Sequence, residues 1–150
     1  MILAVREKAE VVYGTRFRRG YVSGTKKLNY IANRILSAIA RWTTRLPLTD
    51  MHTCFKLFET SVLRQVLLEE RRFGFCPEIT AKIARIPGLR FAEVDISYNP
   101  RGYQDGKKIG LKDGFRALYC IFWYRISPRR RWLREGLSVE KQNPSKCLSI

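Results

Sequence analysis

"EVVYGTRF", residues 10–17, carries valine, valine and tyrosine in a row and ends at Gly14, which reads as a strand over Glu10–Gly14. Upstream, "ILAVREKA" reads as the end of a helix. Downstream, residues 15–27 form a loop carrying Arg16, Arg18, Arg19, Lys26 and Lys27, punctuated by Gly20 and Gly24. "LNYIANRILSAIARWTTR" repeats apolar residues at Leu28, Ile31, Ala32, Ile35, Leu36 and Ile39, the spacing of a helix that Pro47 closes. "LTDMHTCFKLF" alternates as a short strand entered through Thr49 and Asp50. "SVLRQVLLEE" is expected to be a compact amphipathic helix, capped by Thr60 or Ser61, with its leucines in the core. "FGFCPEITAKIAR" predicts a turn and a helix with Pro77 at its first position, and "GLRFAEVDISYN" a strand after Gly88. Leu111–Ile126 is the last helix, stopped by Pro128. The pattern is α/β, with few short strands and flanking helices. A sheet of about three short strands, the first of them almost at Met1, is thin for a free-standing α/β domain, so the expectation is an incomplete fold.

Lysine and arginine number 29 against 13 acidic residues, giving a formal charge of +16, an imbalance that points to phosphate-rich partners or an anionic membrane surface. Hydrophobic residues make up 45 % of the chain, which excludes wholesale disorder. Cys54, Cys76, Cys120 and Cys147 form no Cys-x-x-Cys pair, and with His52 the only histidine a zinc site has no support. Cys54, Cys76 and Cys120 sit among apolar residues and are expected to be buried free thiols in a reducing compartment. No apolar run approaches the ~20 residues of a spanning helix. The division expected is a folded portion over residues 1–126 and a basic, mobile tail over 127–150.

Four blocks in order carry a resemblance: "VVYGTRF", "LTDMHTCFKLF", "RFGFCPEITAKIAR" and "EVDISYNPRGYQDGKKIGLKDGFRAL". Over residues 10–125 the chain resembles glycosyltransferase family 2, within it the polyprenyl-phosphate glycosyltransferases related to dolichyl-phosphate mannosyltransferase. The resemblance implies a GT-A-type fold that moves a sugar from a UDP- or GDP-linked donor to a polyprenyl phosphate. It also implies an N-terminal nucleotide-binding half with an Asp-x-Asp element for Mg²⁺ or Mn²⁺. No Asp-x-Asp occurs in this sequence. The expectation is therefore the acceptor-side portion of such an enzyme, its main metal ligands and nucleotide-binding half absent, inactive alone unless a separate N-terminal half completes it.

In the family pattern, Gly14, Thr15 and Arg16 match the block whose arginine faces the phosphate region, and a planar guanidinium suits phosphate oxygens. The His-Arg usual after this loop is not found; Lys26 and Lys27 stand near its place, which makes Lys27 an acceptor-binding candidate. Asp50 matches the acidic residue assigned as base. A phosphate monoester has its second pKa near ~6, however, so an acceptor oxygen is already ionised at neutral pH and positioning is what remains to be supplied. Asp50 then orients the acceptor or a cation, or serves only as a turn residue. Glu78, just after Pro77, is explained by the helix dipole. His52 has no partner in register.

Arg101, Lys107 and Lys108 surround Gly102 and Gly106 and match the family's acceptor loop, where cations approach the diphosphate leaving group and the lipid phosphate. Phe115, Phe122 and Trp123 on the following helix, with Arg129, Arg130 and Arg131 after it, suit the headgroup level of an anionic bilayer. An ordinary core helix followed by a solvated basic tail accounts for the same residues. The function expected is transfer of a sugar to polyprenyl phosphate at the cytoplasmic membrane face, with the protein peripheral. The competing readings are a small basic nucleic-acid-binding protein and a non-catalytic lipid-phosphate-binding remnant. No zinc pattern, aromatic RNA-binding block or clear helix-turn-helix favours the nucleic-acid reading, so no nucleic-acid partner is expected.

Overall fold

A computed structural model describes residues 9–18, 20–22, 25–99 and 111–128. The helix end expected over residues 2–9 lies outside that set except for Ala9, as do Arg101, Lys107, Lys108, Arg129, Arg130, Arg131 and the rest of the tail beyond residue 128.

Strand β1, Val11–Thr15, is the middle of a three-stranded sheet. It pairs antiparallel with β2, Lys56–Phe58, and parallel with β3, Phe91–Asp95. The registers set Val11 opposite both Phe58 and Phe91. All five β1 residues are buried, so the strand reads as an unbroken apolar run rather than an alternation. Gly14 is required by close approach: a Cβ there would lie 2.8 Å from Ile96 Cγ2 and 3.1 Å from Phe55 Cβ.

Helix α1, Lys27–Thr44, follows the expected period and ends on Arg45 in the left-handed conformation, whose N–H reaches Arg41 O at 2.8 Å. Its buried face is made of small residues, Ser37, Ala40 and Thr44, with Leu36 and Ile39 partly covered. The rest of the apolar stripe, Leu28, Ile31 and Ile35, lies exposed, in line with Trp42.

The "SVLRQVLLEE" helix is shorter than expected. Helix α2 covers only Thr60–Arg64, its N-cap is Glu59, and neither Thr60 nor Ser61 supplies a side-chain cap. Val62 and Val66 enter the core while Leu63, Leu67 and Leu68 are exposed, which corrects the reading of those leucines as core. The cause is a competing set of partners. The buried Glu78 carboxylate accepts the backbone N–H groups of Glu69 and Glu70, both at 2.8 Å, and Lys82 Nζ donates to Leu67 O at 2.6 Å. Backbone groups held this way cannot close helical turns.

A 3₁₀ turn at Arg72–Gly74 leads into helix α3, Phe75–Ile83, where Pro77 takes the third position rather than the first. No donor is lost, since the first-turn N–H groups have no partner within the helix. Helix α4 spans Leu111–Ile126, as expected from the sequence. It packs on α3 and α1, contributing Ile121 to the main core and Cys120 and Tyr124 to a smaller cluster with Ala81. Val11 and Tyr13, two residues apart on one face of β1, meet Ala40, Ile79, Ile83 and Ile121 in the main core. The molecule is thus a mixed α/β structure with a small sheet and flanking helices.

Candidate functional site

Three connections leave one end of the sheet and converge there: the segment after β1, the turn before β2, and the chain leaving β3. Arg16 follows β1 directly, and its guanidinium forks onto Asp50, with Nε to Oδ2 at 2.6 Å and Nη2 to Oδ1 at 2.8 Å. The Arg16 backbone N–H adds a third bond to Oδ2 at 3.2 Å, and Asn33 Nδ2 on α1 reaches Oδ1 at 3.0 Å. Asp50 is fully buried, whereas the Arg16 side chain keeps 17 % of its surface exposed. Arg16 was expected to bind phosphate and Asp50 to act as base or to orient the acceptor; the two side chains are bonded directly to each other.

Burial alone would raise the Asp50 carboxyl, but the Arg16 bonds and charge, with Asn33, outweigh it and hold it below the ordinary carboxylate range. Burial would likewise lower the Arg16 guanidinium, and Asp50 reverses this and raises it. The pair is ionised at neutral pH. Both Asp50 oxygens already accept bonds, so this carboxylate holds Arg16 rather than a proton.

Glu93 on β3 sets the turn that presents Asp50. Its Oε1 accepts the N–H groups of Thr49 and Asp50 at 2.7 and 3.0 Å, and its Oε2 accepts Thr49 Oγ1–H at 2.7 Å. Thr15 Oγ1 meets Thr49 Oγ1 at 2.8 Å. These bonds, together with Lys56 Nζ on the carbonyls of Met51 (2.9 Å) and Thr53, explain why "LTDMHTCFKLF" is a turn over most of its length and a strand only at Lys56–Phe58.

The Arg16 guanidinium also stands 5.0 Å from the Phe17 ring centroid and 5.1 Å from that of Tyr98. Phe17 in turn meets Tyr30 and Tyr98 edge to face. Beside this cluster an open cleft of about 420 Å³ is lined by Thr15, Arg16, Arg18, Val22, Asp95, Ile96, Ser97 and Tyr98. Two guanidinium groups, a carboxylate and three hydroxyl-bearing side chains along the cleft suit a ligand that is both anionic and rich in hydroxyl groups.

His52, two residues past Asp50, is half-buried, and its imidazole is pushed down to about 4 by burial and then by the Lys56 cation. Lys27 is exposed at the start of α1 and takes no part in the Asp50 hydrogen bonds. On α4, Phe115, Phe122 and Trp123 are 72, 44 and 41 % exposed, so these rings are surface residues, not core. Glu78 pairs with Lys82 at 2.6 Å, both side chains fully buried, and lies outside the cluster around Asp50. Cys120 is buried as expected, Cys76 is half-buried, and Cys54 is exposed, against the expectation of burial: the turn that seats Asp50 carries Cys54 outward.

Among the described residues no three His, Cys, Asp or Glu side chains gather as metal ligands, and Asp50 is committed to Arg16 and Asn33. The described residues around Asp50 therefore do not fit a divalent ion. None of the described helices is long and apolar enough to cross a membrane. The sequence pattern missed Asn33, Arg18, Glu93 and Tyr98. The one available signal was Glu93 itself, a carboxylate in the otherwise apolar run "FAEV". No protein-family model, curated protein or solved structure matches the chain.

Proposed function

We propose that residues 1–126 are the acceptor-side portion of a GT-A glycosyltransferase, and that the cleft beside Arg16 takes the phosphate of a polyprenyl phosphate. The observation that carries this reading is the Arg16–Asp50 fork at the edge of the cleft. It uses Nε and Nη2 and leaves Nη1 outside the pair, on a side chain whose direction is already fixed. A fixed donor loses little freedom when an anion arrives. Arg18 adds a second cation, and Asp95 and Ser97 can meet sugar hydroxyls.

In the complete enzyme a phosphate oxygen would attack the anomeric carbon of a UDP- or GDP-linked sugar, displacing the nucleotide. The acceptor brings its own ionised oxygen, so no general base is required, in keeping with an Asp50 carboxyl held low. Nucleotide and divalent-ion binding belong to residues that this chain does not supply, so the 150 residues alone give no turnover. The exposed apolar stripe of α1 and the exposed rings of α4, with Arg34, Arg41, Arg116 and Arg125 on the same helices, suit a peripheral seat on an anionic membrane.

The test is retention of the chain on zwitterionic vesicles with and without undecaprenyl phosphate, beside gel shift on duplex and single-stranded RNA. Doped vesicles should retain the chain. Arg18→Ala, at an exposed position, should weaken that retention about ten-fold, the worth of one hydrogen bond to a charged group. Equal retention on both vesicles, or tighter binding to RNA, refutes the assignment. Robust sugar transfer by the isolated chain would overturn its reading as a portion.

A further inference from the structure

We infer that Lys56 and Cys76 form an oxidation-driven covalent cross-link, a modification site carried by an amine and a thiol already in contact. Lys56 Nζ donates to Cys76 Sγ at 3.4 Å across the boundary between β2 and the first turn of α3. The ammonium's other donors go to the Met51 and Thr53 carbonyls, and it lies 4.7 Å from the Tyr13 ring centroid. These contacts fix the nitrogen beside the sulfur, so reaction between them needs no search.

The chemistry balances with one equivalent of hydrogen peroxide. The Cys76 thiol takes an oxygen atom from the peroxide, giving a sulfenic acid and one water. The Lys56 nitrogen lone pair then attacks that sulfur. The S–N bond forms, the S–O bond breaks, and the hydroxyl leaves as a second water with a proton from nitrogen. Sulfur is oxidised by two electrons and the peroxide is reduced. Burial lowers the Lys56 pKa, which helps the amine reach the neutral form that attacks. A half-buried Cys76 admits a small oxidant. Cross-linking would also withdraw Lys56 donors from the Met51 and Thr53 carbonyls, loosening the turn that follows Asp50. The inference does not depend on the glycosyltransferase reading.

The experiment treats the full chain with hydrogen peroxide, digests it with trypsin and maps the peptides by mass. The expected product joins the Lys56 and Cys76 peptides, two hydrogens lighter than their sum, uncut after Lys56 and reversed by dithiothreitol. In Lys56→Arg the cation remains without an attacking amine, so dimedone capture of sulfenic acid at Cys76 should rise several-fold. Cys54→Ser, which removes the exposed thiol, should leave the cross-link intact. Recovery of Cys76 as sulfinic acid, as a disulfide, or unmodified while Cys54 is fully oxidised, with cleavage after Lys56 unchanged, would overturn the inference.

Discussion

Lowering the pH should cost this fold stability through one residue, His52, before most carboxylates are protonated. The imidazole has an ordinary pKa of 6.5 and is pushed down to about 4 in the folded chain, by burial first and by Lys56 second. A base with a depressed folded pKa binds its proton more readily when the chain is unfolded. Its contribution is therefore complete above pH 6.5 and is lost as the pH falls toward 4. The difference amounts to about 3 kcal/mol over the whole window, of which about 2 kcal/mol is gone by pH 5. Against the typical 5–15 kcal/mol of a domain this is a large share. Urea unfolding between pH 4 and pH 8 should show the decline in the parent chain and a much flatter profile in His52→Gln; the gap between the two profiles isolates the imidazole from the carboxylates. Because His52 is the sole histidine, its ring resonance titrates without ambiguity in NMR. A midpoint near 6.5, or parallel unfolding profiles for the two proteins, would refute the assigned burial and the closeness of the Lys56 charge.

Two further substitutions probe the packing that supports the site. Gly14→Ala would place a methyl group 2.8 Å from Ile96 Cγ2 in the middle of the sheet, and a loss of about 1–3 kcal/mol in urea unfolding is expected; an unchanged midpoint would rule out that close approach. Glu78→Gln removes the buried counter-charge of Lys82, leaving it the half-exposed Glu69 carboxylate at 3.2 Å, and weakens the hold on residues 69 and 70, so thermal unfolding should report about 1–3 kcal/mol of destabilisation. A loss under about 1 kcal/mol would mean that the pair is not buried.

Local signals explain which elements were legible in the sequence. Leu111–Ile126 carries its own period and its own stop at Pro128, and the observed helix has those bounds. Val11–Thr15 is the expected strand shifted by one residue at each end. What failed depended on distant partners. "SVLRQVLLEE" has good helical spacing, but Glu78 and Lys82, further along the chain, take the backbone groups its later turns would need. Residues 49–55 lose their alternation to Glu93 and Lys56. On α1, periodicity shows a stripe without saying what covers it: Leu36 and Ile39 face the core while Leu28, Ile31 and Ile35 do not. In the site, Arg16 and Asp50 could be singled out through a resemblance. Glu93 stood out only as a carboxylate in an apolar run and Asn33 not at all, because their part is to hold another side chain, and three-dimensional proximity is what shows that.

The placement of β1 at the centre of the sheet bears on how the chain is made. Val11 pairs with Phe58 on one side and Phe91 on the other, so its second partner is translated about 80 residues after it. At the usual pace of a ribosome the middle strand waits several seconds with one edge open. Only when Phe91 to Asp95 clear the exit tunnel can the core around Tyr13 close, which makes folding here a late, long-range event.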